Sequence, residues 1–253
     1  VSVAAEDTEA VVQLVPSFSA RLADEDEFYF VRARSAEALG YVALEHPQEE
    51  ASPEVLADLR VGLSFDEPEV KQKLAKALEY VALGDPKRLR HHVPNLAVHL
   101  DDEEELVRYH LCTTLVIVGS AFPSYLSDAV DALVERLTDE CVFVRGRAAE
   151  ALGLLATEDV EGVTIPKSRV EAVLESGESF VSNRARFAYQ CLDETTTTDE
   201  MLAEVGTIES IRETTADVAE EIESPDVDGE CPHCGLPLPE DGPPTCPRCG
   251  GPY

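Results

Sequence analysis

The chain has 253 residues and a net charge of −31, with 51 acidic residues against 20 lysines and arginines. Its hydrophobic content of 44% is normal for a folded protein, so the acidity does not indicate a disordered chain. No apolar run reaches the roughly 20 residues of a membrane-spanning helix, and no charged-then-apolar leader is present. We therefore expect a cytoplasmic protein that has no membrane partner.

The acidity is distributed along the whole chain. Residues 1–192 carry a net charge of −17 and residues 193–230 a net charge of −13, while arginine outnumbers lysine 15 to 5. This composition resembles that of haloarchaeal proteins, whose salt-rich cytoplasm screens the repulsion between carboxylates. The alternative is an acidic mesophilic protein that binds basic partners or mimics nucleic acid. Either way, the charge disfavours nucleic acid as a partner of residues 1–194, because phosphates would be repelled.

Five segments of the first 194 residues follow one pattern. Their first valines are 39, 37, 37 and 37 residues apart: Val31, Val70, Val107, Val144 and Val181. Apolar or small residues recur in each segment at offsets 0, 4, 7, 8 and 11 from the valine, which is the stripe of an amphipathic helix. Another apolar set with the same period precedes each segment, so each repeat contains two helices. A fixed period of this size is typical of a helical solenoid.

The repeats also share polar positions around the valine. An aspartate lies five residues before it and an arginine directly after it in Asp26/Val31/Arg32, Asp102/Val107/Arg108 and Asp139/Val144/Arg145, whereas the fifth repeat has Ser176 and Ser182 in these positions. This pattern resembles HEAT repeats over about residues 9–194. The resemblance implies an all-α fold, a helical-hairpin solenoid of five HEAT-like repeats, but no particular activity.

A basic or histidine residue occupies offset 3 of every repeat, and these residues are Arg34, Lys73, His110, Arg147 and Arg184. With the cations at offset 1 they would align into a basic ladder when the repeats stack. One interpretation is that the ladder pairs with aspartates of the inter-repeat turns and holds the repeats in register. The other is a site for an acidic peptide or a phosphate. We expect the offset-1 cations to be structural, and the offset-3 residues, which have no recurring acid beside them, to face a concave surface and bind a partner.

Residues 195–230 form an acidic linker after the solenoid of residues 1–194. Apolar residues at three- and four-residue spacing predict a helix over 199–222 within it. The alternatives for this helix are docking on the solenoid, pairing with another chain, or partial disorder.

Residues 231–253 contain two Cys-x-x-Cys pairs, Cys231/Cys234 and Cys246/Cys249, separated by 11 residues. This spacing predicts one tetrahedral Zn²⁺ bound by four thiolates, and a disulfide-stapled module is the alternative. The segment resembles small zinc ribbons of the CPxCG type. The zinc is expected to be structural, since four cysteines leave no position for a reacting water.

No pattern in the chain predicts catalysis. Iron-dependent hydroxylases that resemble these repeats need His-Glu pairs, which are absent, and no residue marks the bilin site of HEAT-like phycobilin lyases. We see no nucleophile–base pair and no phosphate-binding loop. The sequence therefore predicts a non-catalytic scaffold or adaptor that binds protein through the solenoid's inner face, with the zinc ribbon as a second interaction module. Alternatives are a regulatory module that acts at nucleic acid or its machinery through the ribbon, and an accessory lyase or chaperone-like factor.

Overall fold

The computed structural model of the protein describes residues 1–24, 26–47, 62–193 and 205–223. Regular structure within these residues is entirely helical, as the sequence predicts. The chain divides into two compact units, Val1–Thr215 and Ala216–Tyr253, and in the second unit only residues 216–223 are described. The predicted zinc ribbon lies outside the described residues. None of the described helices combines the length and the apolar character needed to cross a bilayer.

Short and long helices alternate along the repeats. In chain order the helices are α1 (Ser2–Glu6), α2 (Val15–Ala23), α3 (Tyr29–Glu45), α4 (Pro68–Gly84), α5 (Val93–Ala97), α6 (Glu105–Ala121), α7 (Val130–Arg136), α8 (Val142–Leu155), α9 (Lys167–Leu174), α10 (Ser179–Leu192) and α11 (Ile208–Glu223). The long helices α3, α4, α6, α8 and α10 are the second helices of the five repeats. The helices predicted on the five valine-led segments are thus confirmed, and each begins two residues before its valine.

The first helices of the repeats are shorter. They are α2, α5, α7 and α9, and short 3₁₀ turns such as Pro86–Arg88 and Pro123–Ala129 extend two of them. The first helix expected in the second repeat falls mainly on residues 48–61, which lie outside the described residues. The described residues that follow begin with a 3₁₀ turn at Gly62–Ser64.

The second helices of neighbouring repeats pack directly against one another, α3 on α4, α4 on α6, α6 on α8 and α8 on α10. Small residues allow this approach. A Cβ added to Gly40 would lie 2.9 Å from the Cα of Ala77, and one added to Gly153 would lie 2.9 Å from the Cα of Ala188. Ala77 and Ala188 each lie seven residues after the leading valine of their repeat, so the small residues at this offset mark the places where the helix backbones meet.

The leading valines of the predicted apolar stripe are buried, with one exception. Val70, Val107, Val144 and Val181 are fully buried, whereas Val31 of the first repeat is 39% exposed. Ala4 and Val11 pack against the later part of α3, at Ala38 and Val42. At the start of α3, Val31 remains accessible.

Candidate functional site

The residues of the predicted basic ladder all lie on second helices, but most are not on the surface. Arg147 is fully buried, His110 is 3% exposed and Arg184 is 6% exposed. The side chain of Arg34 is 45% exposed and Lys73 is half-buried. The expectation that all five face a free surface is therefore wrong for His110, Arg147 and Arg184. Partner contact through Arg34 and Lys73 stays a prediction.

The ladder residues also have acids beside them, contrary to the prediction. Arg34 Nη1 donates to Glu37 Oε2 at 2.6 Å, and Arg147 Nη1 donates to Glu150 Oε2 at 2.9 Å. Both acids lie three residues after their arginine, so they occupy the same face of the helix. The Arg-x-x-Glu spacing in the first and fourth repeats was the sequence signal for these pairs.

Glu150 joins two repeats through a fully buried carboxylate. Its Oε2 accepts from Arg147 of its own helix and from Arg184 Nε of the next repeat at 2.8 Å, and its Oε1 accepts from the backbone N–H of Gly206 at 2.9 Å. Burial alone would raise the pKa of the Glu150 carboxyl, but the two guanidiniums and the N–H group lower it below its ordinary value. The carboxylate is therefore charged and fully paired inside the protein.

Aromatic rings complete this cluster. The guanidinium carbon of Arg184 lies 3.6 Å from the centre of the Phe180 ring, and that of Arg147 lies 5.5 Å from the same ring. Burial would lower the pKa of Arg147, but Glu150 and Tyr109 raise it above its ordinary value. Cation–π contact and charge-assisted hydrogen bonds thus compensate for the loss of water around Arg147, whereas burial keeps the pKa of Arg184 below its ordinary value.

A second buried acid anchors the neighbouring repeats. Glu79 Oε2 is 2.7 Å from His110 Nδ1, and Glu79 Oε1 accepts from Thr215 Oγ1 at 2.8 Å. The hydroxyl of Tyr109 is 3.4 Å from both Thr215 Oγ1 and Arg147 Nη2, and so links the two clusters. These polar residues of α4, α6, α8 and α10 form one continuous set on the second helices, which we call the second-helix face. It consists of Glu79, Tyr109, His110, Arg147, Glu150 and Arg184.

Residues 205–215 lie on the second-helix face. Thr214 Oγ1 accepts from Arg147 Nη2 at 3.0 Å, and Arg212 Nη2 donates to the carbonyl oxygen of Leu83 at 3.0 Å. Ile211 is fully buried. Of the alternatives for the predicted linker helix, the structure shows docking for this part. The helix starts at Ile208 and ends one residue beyond the predicted end, and the predicted start lies outside the described residues.

Gly206 lets the docked segment turn onto the repeats. Its φ of +81° is in the left-handed region, and an added Cβ would lie 3.0 Å from Leu154 Cδ2 and 3.3 Å from Phe187 Cζ. A residue with a side chain would be strained in this backbone conformation and crowded by its neighbours. The glycine brings its N–H group to Glu150.

The offset-1 cations form a separate set of inter-repeat ion pairs. Arg108 donates to both oxygens of Asp139, from Nε at 2.8 Å and from Nη2 at 2.9 Å, and Lys71 Nζ lies 2.8 Å from Asp102 Oδ2. Arg32 is 3.9 Å from Glu67. Arg32, Lys71 and Arg108 therefore pair with an acid of the following repeat, as the structural interpretation of the ladder predicts, whereas Arg145 has no such acid among residues 62–193.

The predicted zinc ligands Cys231, Cys234, Cys246 and Cys249 lie outside the described residues, so the zinc site stays a prediction. Among the described residues no group of histidines, cysteines and acids has an arrangement that could hold a metal ion. The described cysteines Cys112, Cys141 and Cys191 are buried and free, and burial raises the pKa of the Cys112 thiol to about 12.

No family of protein domains and no curated protein sequence matches the chain. Its fold is similar to that of solved helical-repeat proteins. Computationally designed armadillo repeat proteins for modular peptide recognition align with 75% of this chain and 89% of theirs, at 18% identity and a TM-score of 0.64. A designed armadillo repeat protein in complex with the peptide (KR)4 aligns with 76% of this chain and 89% of its own, at 19% identity and a TM-score of 0.62.

A natural protein with the same kind of fold is the karyopherin Kap121p, solved bound to the extreme C-terminus of the protein phosphatase Cdc14p. It aligns with 85% of this chain but over only 24% of the karyopherin, at 16% identity and a TM-score of 0.50. Identities this low show the fold alone. An armadillo-like helical-repeat solenoid is the architecture that the chain shares with these structures.

Proposed function

We propose that this protein is a non-catalytic adaptor that binds another protein along the second helices of its repeats, with a structural zinc ribbon as a second interaction module. The observation that carries the proposal is that these helices already hold a polypeptide segment, residues 205–215, through side chains of three successive repeats. Designed repeat proteins and a karyopherin of the same fold hold peptides or a protein C-terminus, which supports the same role here.

The partner would bind where the second helices are uncovered, in the first repeat. Phe28 is 59% exposed and contacts Phe30, and Val31 is 39% exposed and lies three residues before the half-exposed Arg34. Phe30, Val31 and Arg34 line a cavity of about 320 Å³. Aromatic and arginine side chains around an apolar pocket are the residues that contribute most to protein–protein binding. We therefore assign a partner segment with an apolar anchor to this patch.

Of the five ladder residues proposed for partner binding, Arg34 fits this role best. His110, Arg147 and Arg184 instead bind the chain's own segment or support the residues that do. Lys73, on α4, lies one repeat further along from the exposed patch.

Matched substitutions test the assignment. The exposed valines Val31 and Val98, at 39% and 71% exposure, allow the same change inside and outside the patch. The arginines Arg34 and Arg21, each paired with a glutamate, allow a second matched comparison. Affinity capture in molar KCl, followed by affinity measurement with the purified partner, should show loss of binding for Val31→Asp and Arg34→Glu and none for Val98→Asp and Arg21→Glu. Equal effects of the paired variants would reject the patch as the binding site.

The zinc ribbon part of the proposal rests on the spacing of Cys231, Cys234, Cys246 and Cys249. Four thiolates would fill the coordination sphere of one zinc ion, whose binding contributes folding energy to so small a segment. Elemental analysis of protein purified under reducing conditions without chelators should give one zinc per chain. Chelation should then unfold the ribbon and leave the solenoid helicity unchanged.

The charge of −31 supports a working environment of high salt, such as a halophile's cytoplasm. Molar KCl shortens the Debye length to about 3 Å and screens the repulsion between carboxylates. The melting temperature should therefore rise between dilute buffer and molar KCl. A flat or falling melting temperature would reject the halophilic assignment.

A further inference from the structure

Two of the inter-repeat ion pairs share one sequence separation, and this series breaks at the last junction. Lys71 pairs with Asp102 and Arg108 pairs with Asp139, and in both cases the acid lies 31 residues after the cation. The next cation in this series is Arg145, and the residue 31 positions later is Ser176. A serine hydroxyl thus occupies the place of the carboxylate.

The aspartates at the earlier junctions accept a hydrogen bond within the turn and also bind a cation, whereas Ser176 makes only the hydrogen bond within the turn. Asp102 Oδ1 accepts from the N–H of Glu104 at 3.0 Å, and Asp139 Oδ1 accepts from the N–H of Cys141 at 2.9 Å, in addition to binding the cation of the preceding repeat. Ser176 Oγ accepts from the N–H of Glu178 at 3.5 Å, so it occupies the same position in the turn. It brings no negative charge to Arg145.

Arg145 nevertheless makes the same backbone hydrogen bonds as Arg108. Arg145 Nη1 donates to the carbonyl oxygens of Asp139 at 2.7 Å and Glu140 at 3.1 Å. Arg108 Nη1 donates to the corresponding carbonyls of Asp102 and Glu103, at 2.8 and 2.9 Å, while its Nε and Nη2 bind the carboxylate of Asp139. Within residues 62–193, all of which are described, Arg145 has no carboxylate partner. Two of its guanidinium nitrogens are thus left for a ligand.

A cavity lies at this junction. Its volume is about 330 Å³, and Arg145, Arg169, Thr138 and Ser176 supply its polar lining together with the carboxylate of Glu175. Two guanidiniums against one carboxylate leave a charge of one positive unit, which attracts an anion. None of the residues of the second-helix face lines this cavity, so the site is separate from that surface.

We propose that this cavity is a binding site for a carboxylate group, which takes the place that Asp102 and Asp139 fill at the earlier junctions. Arg145 donates to both oxygens in the geometry that Arg108 shows with Asp139, because planar guanidinium groups match carboxylates in this way. Arg169 and the hydroxyls of Thr138 and Ser176 are the further donors. The carboxylate comes either from a small free acid or from an acidic side chain of another polypeptide.

Thermal unfolding of the full chain at constant ionic strength tests the site, with potassium acetate replacing KCl. A ligand that binds the folded state raises the melting temperature in proportion to its occupancy. Replacing chloride by acetate should therefore raise the melting temperature of the wild type more than that of the Ser176→Asp variant. In the variant the new carboxylate already occupies the site. Arg145→Ala should lose the acetate response as well. An acetate response of the same non-zero size in wild type and Ser176→Asp, or no response of the wild type to either acetate or a blocked Ala-Asp-Ala peptide, would overturn the proposal.

Two further arms identify the source and provide a gain-of-function control. If blocked Ala-Asp-Ala peptide stabilises the protein, blocked Ala-Ser-Ala does not, and acetate is without effect, the carboxylate comes from a polypeptide. If acetate alone raises the melting temperature, a small acid is the ligand. A melting temperature that responds only to inorganic phosphate would overturn the carboxylate assignment. Asp139→Ser leaves Arg108 as Arg145 now is, and should increase the response to the ligand over that of the wild type.

Discussion

Repeats one and four contain nearly the same ten residues at the start of their second helices, yet these residues lie in different surroundings. The segments 31–40 and 144–153 differ only at their third and fifth positions. The ion pair of the first repeat is half exposed at its arginine, whereas Arg147 and Glu150 in the fourth repeat are fully buried. A local sequence thus determines which side chains pair, but the residues that cover the pair determine how much it contributes to stability.

The cover of the fourth repeat comes from two places. Residues 205–215 approach from the end of the first compact unit, and Phe180 and Arg184 come from the next repeat. The first repeat has neither, and exposes Val31, which lines a cavity with the arginine of the ion pair. We infer that the covered repeat binds the chain's own segment and that the uncovered one binds the partner.

Removal of the central carboxylate should have the largest effect on this comparison. Glu150→Ala leaves two buried guanidiniums without their acid, and the free energy of unfolding should fall by about 3–5 kcal/mol. The equivalent change in the first repeat, Glu37→Ala, should cost about 1 kcal/mol or less, because solvent screens the half-exposed Arg34. Urea denaturation in molar KCl measures both values. Similar costs for the two variants would show that cover does not determine the strength of the pair.

The third position of the ten-residue segment should have the next largest effect. Gly146 stands where the first repeat has Ala33, and a Cβ added there would lie 2.6 Å from ring atoms of Phe180. Gly146→Ala should therefore displace the ring from the two arginines and destabilise the protein by about 1–3 kcal/mol. Gly177→Ala is the control, since its added Cβ meets nothing within 4 Å. A cost no greater than that of the control would mean that the ring position does not depend on the glycine.

The pH dependence of the buried pair gives the smallest and most specific effect. The pKa of Glu150 is lowered from its ordinary value of 4.5, with burial opposing the shift and Arg147 and Arg184 producing it. The carboxylate's contribution to stability is therefore complete above pH 4.5 and is lost as the pH falls towards the folded-state pKa. The stability difference between wild type and Glu150→Gln should be constant near neutral pH and shrink in acid. A difference that grows in acid would contradict the lowered pKa.

The periodic parts of the structure were predictable from the sequence. The second helices all begin two residues before their valines. They were predictable because a stripe of apolar residues with helical spacing must be buried, and its period is visible in the local sequence. The exposure of Val31 was not predictable in this way, since the same pattern predicts burial of all five leading valines. The predictions for residues 231–253 rest on cysteine spacing alone.

The polar face was harder to predict because its contacts are far apart in sequence. Thr214 and Thr215 bind Arg147 and Glu79, at separations of 67 and 136 residues, and no repeat period indicates such pairs. The acid Glu150 was visible in principle, three residues after Arg147. The docked segment determines which ladder residues are covered, and no local pattern reveals where that segment lies. The sequence alone therefore places the whole ladder on the surface.

Hydrogen–deuterium exchange of the full chain tests most directly whether the second helices hold a polypeptide segment. If residues 206–215 are docked, their amides should exchange far more slowly than those of an unstructured peptide. In Thr215→Val, which removes the donor to Glu79 Oε1, they should exchange faster while the amides of α6 and α8 remain protected. Exchange of residues 206–215 at the rate of a free peptide in the wild type would contradict the account.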